Sequence, residues 1–240
     1  MSSFFITLLL AASALAAPSA APTFPKPPSN LAKPPAGGHT CPIVANMAMP
    51  TNQSILVAPT AAKSFVMLGV GYQNYTCTSA GTYTSAGAVA DLFDISCLSG
   101  IPQVFNNIQD YAFPVWKAAP PSFKIGPSAI GYPQLGNHFF QPNPAGSGPL
   151  SPVWDFRAGA AKGNAQAFVL AAKIGDLPAP TGSADVDWLQ LKNVQGELAT
   201  QIYRVDTRGG VAPSSCTPGS APISLKYVSK YWLFGSSIKL

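Results

Sequence analysis

The chain has 240 residues, of which only 10% are charged, and 14 basic against 9 acidic side chains give a net charge of +5. The basic residues are scattered singly, whereas a nucleic-acid surface concentrates them on one face, so no nucleic-acid partner is expected. Glu197 is the sole glutamate and His39 and His138 are the two histidines, which limits the groups available for acid–base catalysis.

The first elements in chain order are a signal peptide and a tether. An apolar run ends in Ala14-Leu-Ala16, the small-x-small pattern of a signal-peptidase site. This run is too short to span a bilayer, so residues 1–16 are predicted to be a cleaved signal and no stable membrane insertion is expected. Seven prolines in residues 17–38 predict an extended, flexible linker, which leaves residues 39–240 for one domain.

The remaining sequence predicts a mostly β domain. No long amphipathic helix alternates with the strands, which favours a single-domain antiparallel β-sandwich or barrel over a doubly wound sheet. Ala86–Ser96 suits a short helix or a strand, and the many Pro and Gly residues of 100–152 predict long loops. The strand candidates are apolar runs bounded by turn residues: 65–70, 73–77, 138–140, 153–156, 167–174, 186–191, 198–205 and 225–234.

Four cysteines indicate two disulfides if the chain enters an oxidising compartment. They are Cys41, Cys77, Cys97 and Cys216, and their spacing leaves all three connectivities open. A zinc site needs closely spaced ligand pairs, which neither the cysteines nor the histidines supply, so no metal is expected.

Two sequons, at Asn52 and Asn74, predict N-linked glycans on a secreted chain. Asn74 belongs to a strand that we expect to continue past a bulge at Gly71. Period-two alternation then places Asn74 and Cys77 on opposite faces, the first suited to a glycan and the second to a disulfide.

Gly69-Val-Gly71 could also start a dinucleotide-binding turn. That turn needs a third glycine and a following helix, but Asn74 stands at the third position and the residues after it are poor helix formers. A malate-type mechanism also needs a histidine oriented by an aspartate, and arginines that clamp the carboxylates. No spacing links His138 to the arginines, so no nucleotide cofactor is expected.

Two other functional classes stay open. A secreted hydrolase could use His138 with an aspartate such as Asp155, although a structural histidine is the simpler interpretation. A glycan-binding surface could use tryptophan, for which Trp154 beside Asp155 and Arg157 is the best candidate. Trp188 and Trp232 are expected to lie in the core.

Several motifs occur together in order: 71-GYQNYTC-77, 87-GAVADLFDISC-97, 136-GNHFF-140, 152-PVWD-155, 187-DWLQL-191, 203-YRVDTRGGVAPSSC-216 and 227-YVSKYWLF-234. This set resembles a secreted family, common in filamentous fungi and present in bacteria, that is classed as a domain of unknown function. Its members are often labelled malate dehydrogenase or malate dehydrogenase-like. The resemblance covers about residues 40–235.

The resemblance implies an extracellular β-rich domain with no established reaction, and disulfides Cys77–Cys216 and Cys41–Cys97. Asp206 and Arg208 depart slightly from the family pattern, in which asparagine and a small residue are commoner. The leading hypothesis is therefore a secreted, extracellular or cell-wall protein without enzymatic activity, binding a cell-wall or host-surface glycan.

Overall fold

The computed structural model describes residues 41–240, so the predicted signal peptide and linker lie outside the described residues. Eight strands and three α-helices follow one another, with a 3₁₀ turn at Ser96–Leu98. The strands are β1 (Lys63–Cys77), β2 (Tyr83–Asp94), β3 (Gln134–Gln141), β4 (Ser151–Asp155), β5 (Phe168–Leu177), β6 (Trp188–Gln195), β7 (Gln201–Gly209) and β8 (Ile223–Phe234). The helices are α1 (Pro102–Phe105), α2 (Ile108–Ala118) and α3 (Pro127–Ile130).

The eight strands form one closed antiparallel barrel in sequence order. Each strand pairs with the next along the chain, and β8 returns to pair with β1. The prediction of a mostly β, single-domain antiparallel fold is confirmed, and closure selects the barrel. The ambiguous segment Ala86–Ser96 is mostly strand, because its Val89, Phe93 and Asp94 lie in β2.

Two apolar cores lie on the two faces of the barrel wall. The inner core includes Met67, Leu92, Trp154, Tyr231 and Leu233. The outer core lies between the wall and helix α2 and includes Val66, Leu68, Phe93, Trp116 and Trp232. Successive residues of β1 and β8 therefore alternate between the two cores, as the pleat of a strand requires.

Helix α2 covers the outer core with Ile108, Ala112 and Trp116, which are spaced four residues apart and so share one face. The indole of Trp116 donates a 2.9 Å hydrogen bond to the Gly71 carbonyl of β1. Long loops were expected within residues 100–152; a loop does occupy 142–150, and the segment also contains helices α1, α2 and α3, which the sequence did not predict. Helix α2 was not predicted because it contains Pro114, and proline is normally excluded from helix interiors.

Among residues 41–240, no helix has the length and apolar character needed to cross a membrane.

Gly69 and Gly71 lie inside β1, where its backbone passes close to neighbouring groups. A Cβ at Gly69 would collide with the ring of Tyr231, and one at Gly71 would collide with the backbone of β2. Glycine in a strand often marks such a close approach. The predicted bulge at Gly71 is wrong: the register between β1 and β2 shifts between Gln73 and Tyr75.

Two disulfides join distant parts of the chain. Cys41–Cys97 fixes the segment before β1 to the turn after β2, and Cys77–Cys216 fixes the end of β1 to the loop before β8. These are the two pairings that the family resemblance implies.

Candidate functional site

One end of the barrel opens into a cavity of about 930 Å³. Because neighbouring strands run antiparallel, the end of each odd-numbered strand and the start of each even-numbered strand meet there. Tyr75 of β1, Phe140 of β3 and Arg204 of β7 line this cavity. The other end is filled with apolar side chains, among them Phe65 and Phe156.

Charged side chains surround the mouth of the cavity. Lys173 forms an ion pair with Asp176, and Asp187 lies beside that pair. The pKa of the Asp187 carboxyl is raised by partial burial and by the neighbouring negative charge of Asp176. Asp185 accepts hydrogen bonds from Thr181 Oγ1 and from the backbone nitrogen of Gly209, both at 2.6 Å.

Tyrosine hydroxyls lie in the cavity, as with Tyr75, and in the barrel interior, as with Tyr227 and Tyr231. Tyr227 and Tyr231 share a 2.9 Å hydrogen bond between their hydroxyl groups, and burial raises the pKa of both. Tyr75 donates to the Gly210 carbonyl at 2.8 Å, and burial raises its pKa as well. All three phenols are therefore neutral donors and acceptors at ordinary pH.

His138 lies inside the barrel wall, 3% exposed, and stacks on Trp154 with ring centroids 4.4 Å apart. Its Nδ1 is 2.8 Å from the Val153 carbonyl, and burial lowers its pKa to about 3. The structure does not bring Asp155 to it. His138 pairs with Trp154 across β3 and β4, so the next residue, Asp155, faces the opposite side of the wall, where it binds Arg157.

This burial predicts an acid-sensitive contribution to stability. A folded-state pKa of about 3 lies below the ordinary value of 6.5, so the unfolded chain binds the proton more readily between those values. The contribution is complete above pH 6.5 and is lost as the pH falls towards 3, by up to about 1.4 kcal/mol per pH unit. Urea unfolding at several pH values should show that His138→Gln lacks this part of the slope; parallel curves for the two proteins would contradict it.

The surface position expected for Trp154 is wrong. Its side chain is 1% exposed and packs among inner-core residues, because Trp154 lies on the face of β4 that points into the barrel. Trp188 and Trp232 are buried as expected, at 6% and 1% exposure. Arg157 does lie on the surface, with its guanidinium 4.2 Å from the centre of the Phe168 ring.

The two sequons differ in exposure. Asn52 is exposed in a loop and has a positive φ of 61°. Asn74 is half-buried on β1, and its Oδ1 accepts a 2.8 Å hydrogen bond from Ser224 Oγ. Strand alternation places Gln73 and Tyr75 on the face of β1 opposite Asn74, and both residues line the cavity.

The sequence does not connect Asp185, Asp187 and Arg204 with one another, nor does it mark Lys173 and Asp176. These residues come from different strands and loops, so no linear spacing marks them. A usable signal is a polar side chain at an inward position of a strand, as with Gln73, because such positions in a small barrel are normally apolar.

Neither a metal site nor a dinucleotide turn is found in the described part of the chain. No group of three or more His, Cys, Asp or Glu side chains among residues 41–240 could hold a metal ion. Gly69-Val-Gly71 lies within a continuous strand that turns back as β2, with no helix after it.

Comparison with known proteins finds no curated protein and no solved structure that matches the chain. A family model does match, over residues 58–235, which is most of the barrel domain. The chain therefore belongs to the family described as Protein of unknown function (DUF3455).

Proposed function

We propose that this protein is secreted and binds a glycan outside the cell, without catalysing a reaction, and that the sugar enters the open end of the barrel. The observation that carries the proposal is the cavity at the open end of the barrel, which combines aromatic side chains with charged hydrogen-bonding groups. Ligand sites in closed barrels of this size lie at such a mouth.

The lining suits the chemistry of a sugar. Tyr75 and Phe140 offer aromatic faces to the C–H groups of a pyranose ring. Asp176 and Asp187 at the mouth can accept hydrogen bonds from neighbouring hydroxyls, and Lys173 can donate them. The proposed glycan site is therefore the cavity and not a surface around Trp154, which the sequence had suggested.

Secretion is supported by three features that fit one another: the signal-peptide pattern of residues 1–16, the two disulfides, and the exposed sequon at Asn52. Disulfides form and persist mainly in oxidising compartments, so a pair of them joining distant segments suits an extracellular or cell-wall protein.

The hydrolase alternative has less support. His138 is buried and neutral at ordinary pH, and Asp155 faces away from it. A general base must reach the proton that it removes, and the His138 ring is packed among aromatic side chains with its Nδ1 against the Val153 carbonyl.

Tyr75→Ala should weaken oligosaccharide binding about 3- to 10-fold, because the variant loses an aromatic face in the cavity. The matched control is Tyr111→Ala, at an exposed tyrosine on α2 away from the cavity, which should change affinity less than about twofold. Protein recovered from the culture medium is titrated with chitin, β-glucan and mannan oligosaccharides and tested for retention on the parent polysaccharides.

Absence of binding to every oligosaccharide and polysaccharide, neutral or acidic, would overturn the glycan proposal. Protein retained only inside the cells would overturn secretion. Release of sugar fragments by the wild type, lost in His138→Ala, would instead establish the hydrolase.

A further inference from the structure

The inner part of the cavity holds hydrogen-bond donors that the fold leaves unused. We call Gln73 and Arg204, which line the cavity, the cavity floor. Gln73 is only 6% exposed, and its amide nitrogen lies near the Tyr227 hydroxyl without reaching hydrogen-bond geometry. A buried donor without a partner is destabilising, so a ligand acceptor that satisfied Gln73 would gain from the bond.

Arg204 is the charged member of the cavity floor. Its Nε and Nη2 donate to the Asp187 carbonyl at 3.0 and 2.8 Å, which fixes the guanidinium in place. Among residues 41–240 no carboxylate lies within 4.0 Å of this guanidinium, although the Asp187 carboxyl is close enough to feel its charge. A guanidinium has five N–H donors, so donors remain for a ligand beyond those directed to the Asp187 carbonyl and the Tyr231 hydroxyl.

The carboxylates around the mouth are differently placed. Asp176 is neutralised by Lys173, and Asp185 is held by Thr181 and by the backbone of Gly209. The cavity therefore presents donors and a positive charge at its inner end and acceptors at its outer end. A ligand complementary to this polarity carries an anionic group that enters first and hydroxyl groups that follow.

We propose that the cavity floor binds the carboxylate of a sugar acid, so that the ligand is a uronic-acid-containing glycan. The inference rests on the proposed function and specifies its ligand class. Arg204 supplies charge-assisted hydrogen bonds to the carboxylate, and Gln73 Nε2 supplies a further donor. The hydroxyls of the same sugar ring then reach the carboxylates at the mouth.

The test compares three probes on the whole secreted protein by isothermal titration: oligogalacturonate, the neutral oligogalactose of equal length, and malate as a small organic acid. We expect oligogalacturonate to bind at least tenfold more tightly than the other two, with an affinity that falls as salt is added. Equal affinity for the neutral and acidic sugars would overturn the inference and leave glycan binding intact. Binding of malate without any saccharide would overturn both proposals.

Gln73→Leu and Gln73→Glu test the cavity floor directly. Leucine has nearly the shape of glutamine and removes an unsatisfied donor, so this variant is expected to fold. It should bind oligogalacturonate about 10-fold more weakly. Glutamate places a negative charge opposite the ligand carboxylate and should weaken acidic-sugar binding at least 100-fold. Unchanged acidic-sugar affinity in both variants, with unfolding midpoints near that of the wild type, would contradict the proposal.

Discussion

Replacing Cys77 and Cys216 together by alanine should lower the free energy of unfolding by about 3–5 kcal/mol, among the largest effects expected of any change in this domain. The bridge spans 139 positions, and the entropy that a cross-link removes from the unfolded chain grows with the length of the loop. Urea unfolding without reductant measures the change.

The other bridge is the matched control. Cys41–Cys97 spans 56 positions, so the chain-entropy model predicts a loss about 1 kcal/mol smaller for its double alanine variant. Peptide mapping of the unreduced wild type should recover these two pairings and no free thiol. A loss below about 1 kcal/mol for the Cys77–Cys216 variant would show that the bridge does not constrain the unfolded chain.

Asp206→Asn should destabilise the protein by about 3–5 kcal/mol, because it removes the partner of a buried cation. Lys230 on β8 is 2% exposed, and its Nζ lies 3.0 Å from Asp206 Oδ2 and 3.3 Å from the Asn106 carbonyl. Phe105 of α1 lies against the same ammonium group at 5.0 Å. Asp206 has a positive φ of 50°, a conformation that asparagine also adopts, so this substitution changes the charge and keeps the backbone.

Two further variants make this prediction specific. Lys230→Met in the Asp206→Asn background should recover most of the loss, since no unpaired charge remains buried. Asp176→Asn, at the exposed pair with Lys173, should cost less than about 1 kcal/mol. Equal losses at the buried and the exposed pair would contradict the argument.

The same pair has a pH signature. Burial lowers the pKa of Lys230, partly offset by Asp206, so the folded state holds this proton less tightly than the unfolded chain. Stability therefore rises with pH between the lowered pKa and the ordinary value near 10.4. Asp206→Asn reduces the offset and lowers the Lys230 pKa further, so the deficit of the variant should shrink as the pH rises from its own Lys230 pKa to that of the wild type, and should stay constant above it.

The wall of the barrel was largely predictable from the sequence. Strand β8 shows its period of two plainly, and β1 was expected as two segments around Gly71. Helix α2 was not predictable, because Pro114 in its interior argues against a helix. The helix is stabilised by packing on the outer face of the barrel, where Trp116 bonds to β1, and the sequence does not show that packing. Local patterns fix a strand, whereas a covering helix depends on the surface beneath it.

The candidate site was less predictable than the fold. Tyr75 comes from β1, Lys173 from β5 and Arg204 from β7, and only barrel closure brings them to one mouth. His138 and Trp154 were selected as candidates because of their side-chain chemistry alone, yet both are buried at inward positions of β3 and β4. In a barrel the inward positions near an open end hold the ligand groups, and those at mid-height hold the core.

Closure by β1 and β8 has a consequence for folding kinetics. They are the first and the last strand in the sequence, yet they pair along almost their whole length, from Lys63 with Phe234 to Tyr75 with Ile223. Contacts so distant in sequence form slowly, and a chain still lacking β8 keeps β1 and β7 as unpaired edges that can join other chains. Folding of this domain is therefore expected to finish only after its last strand has been synthesised.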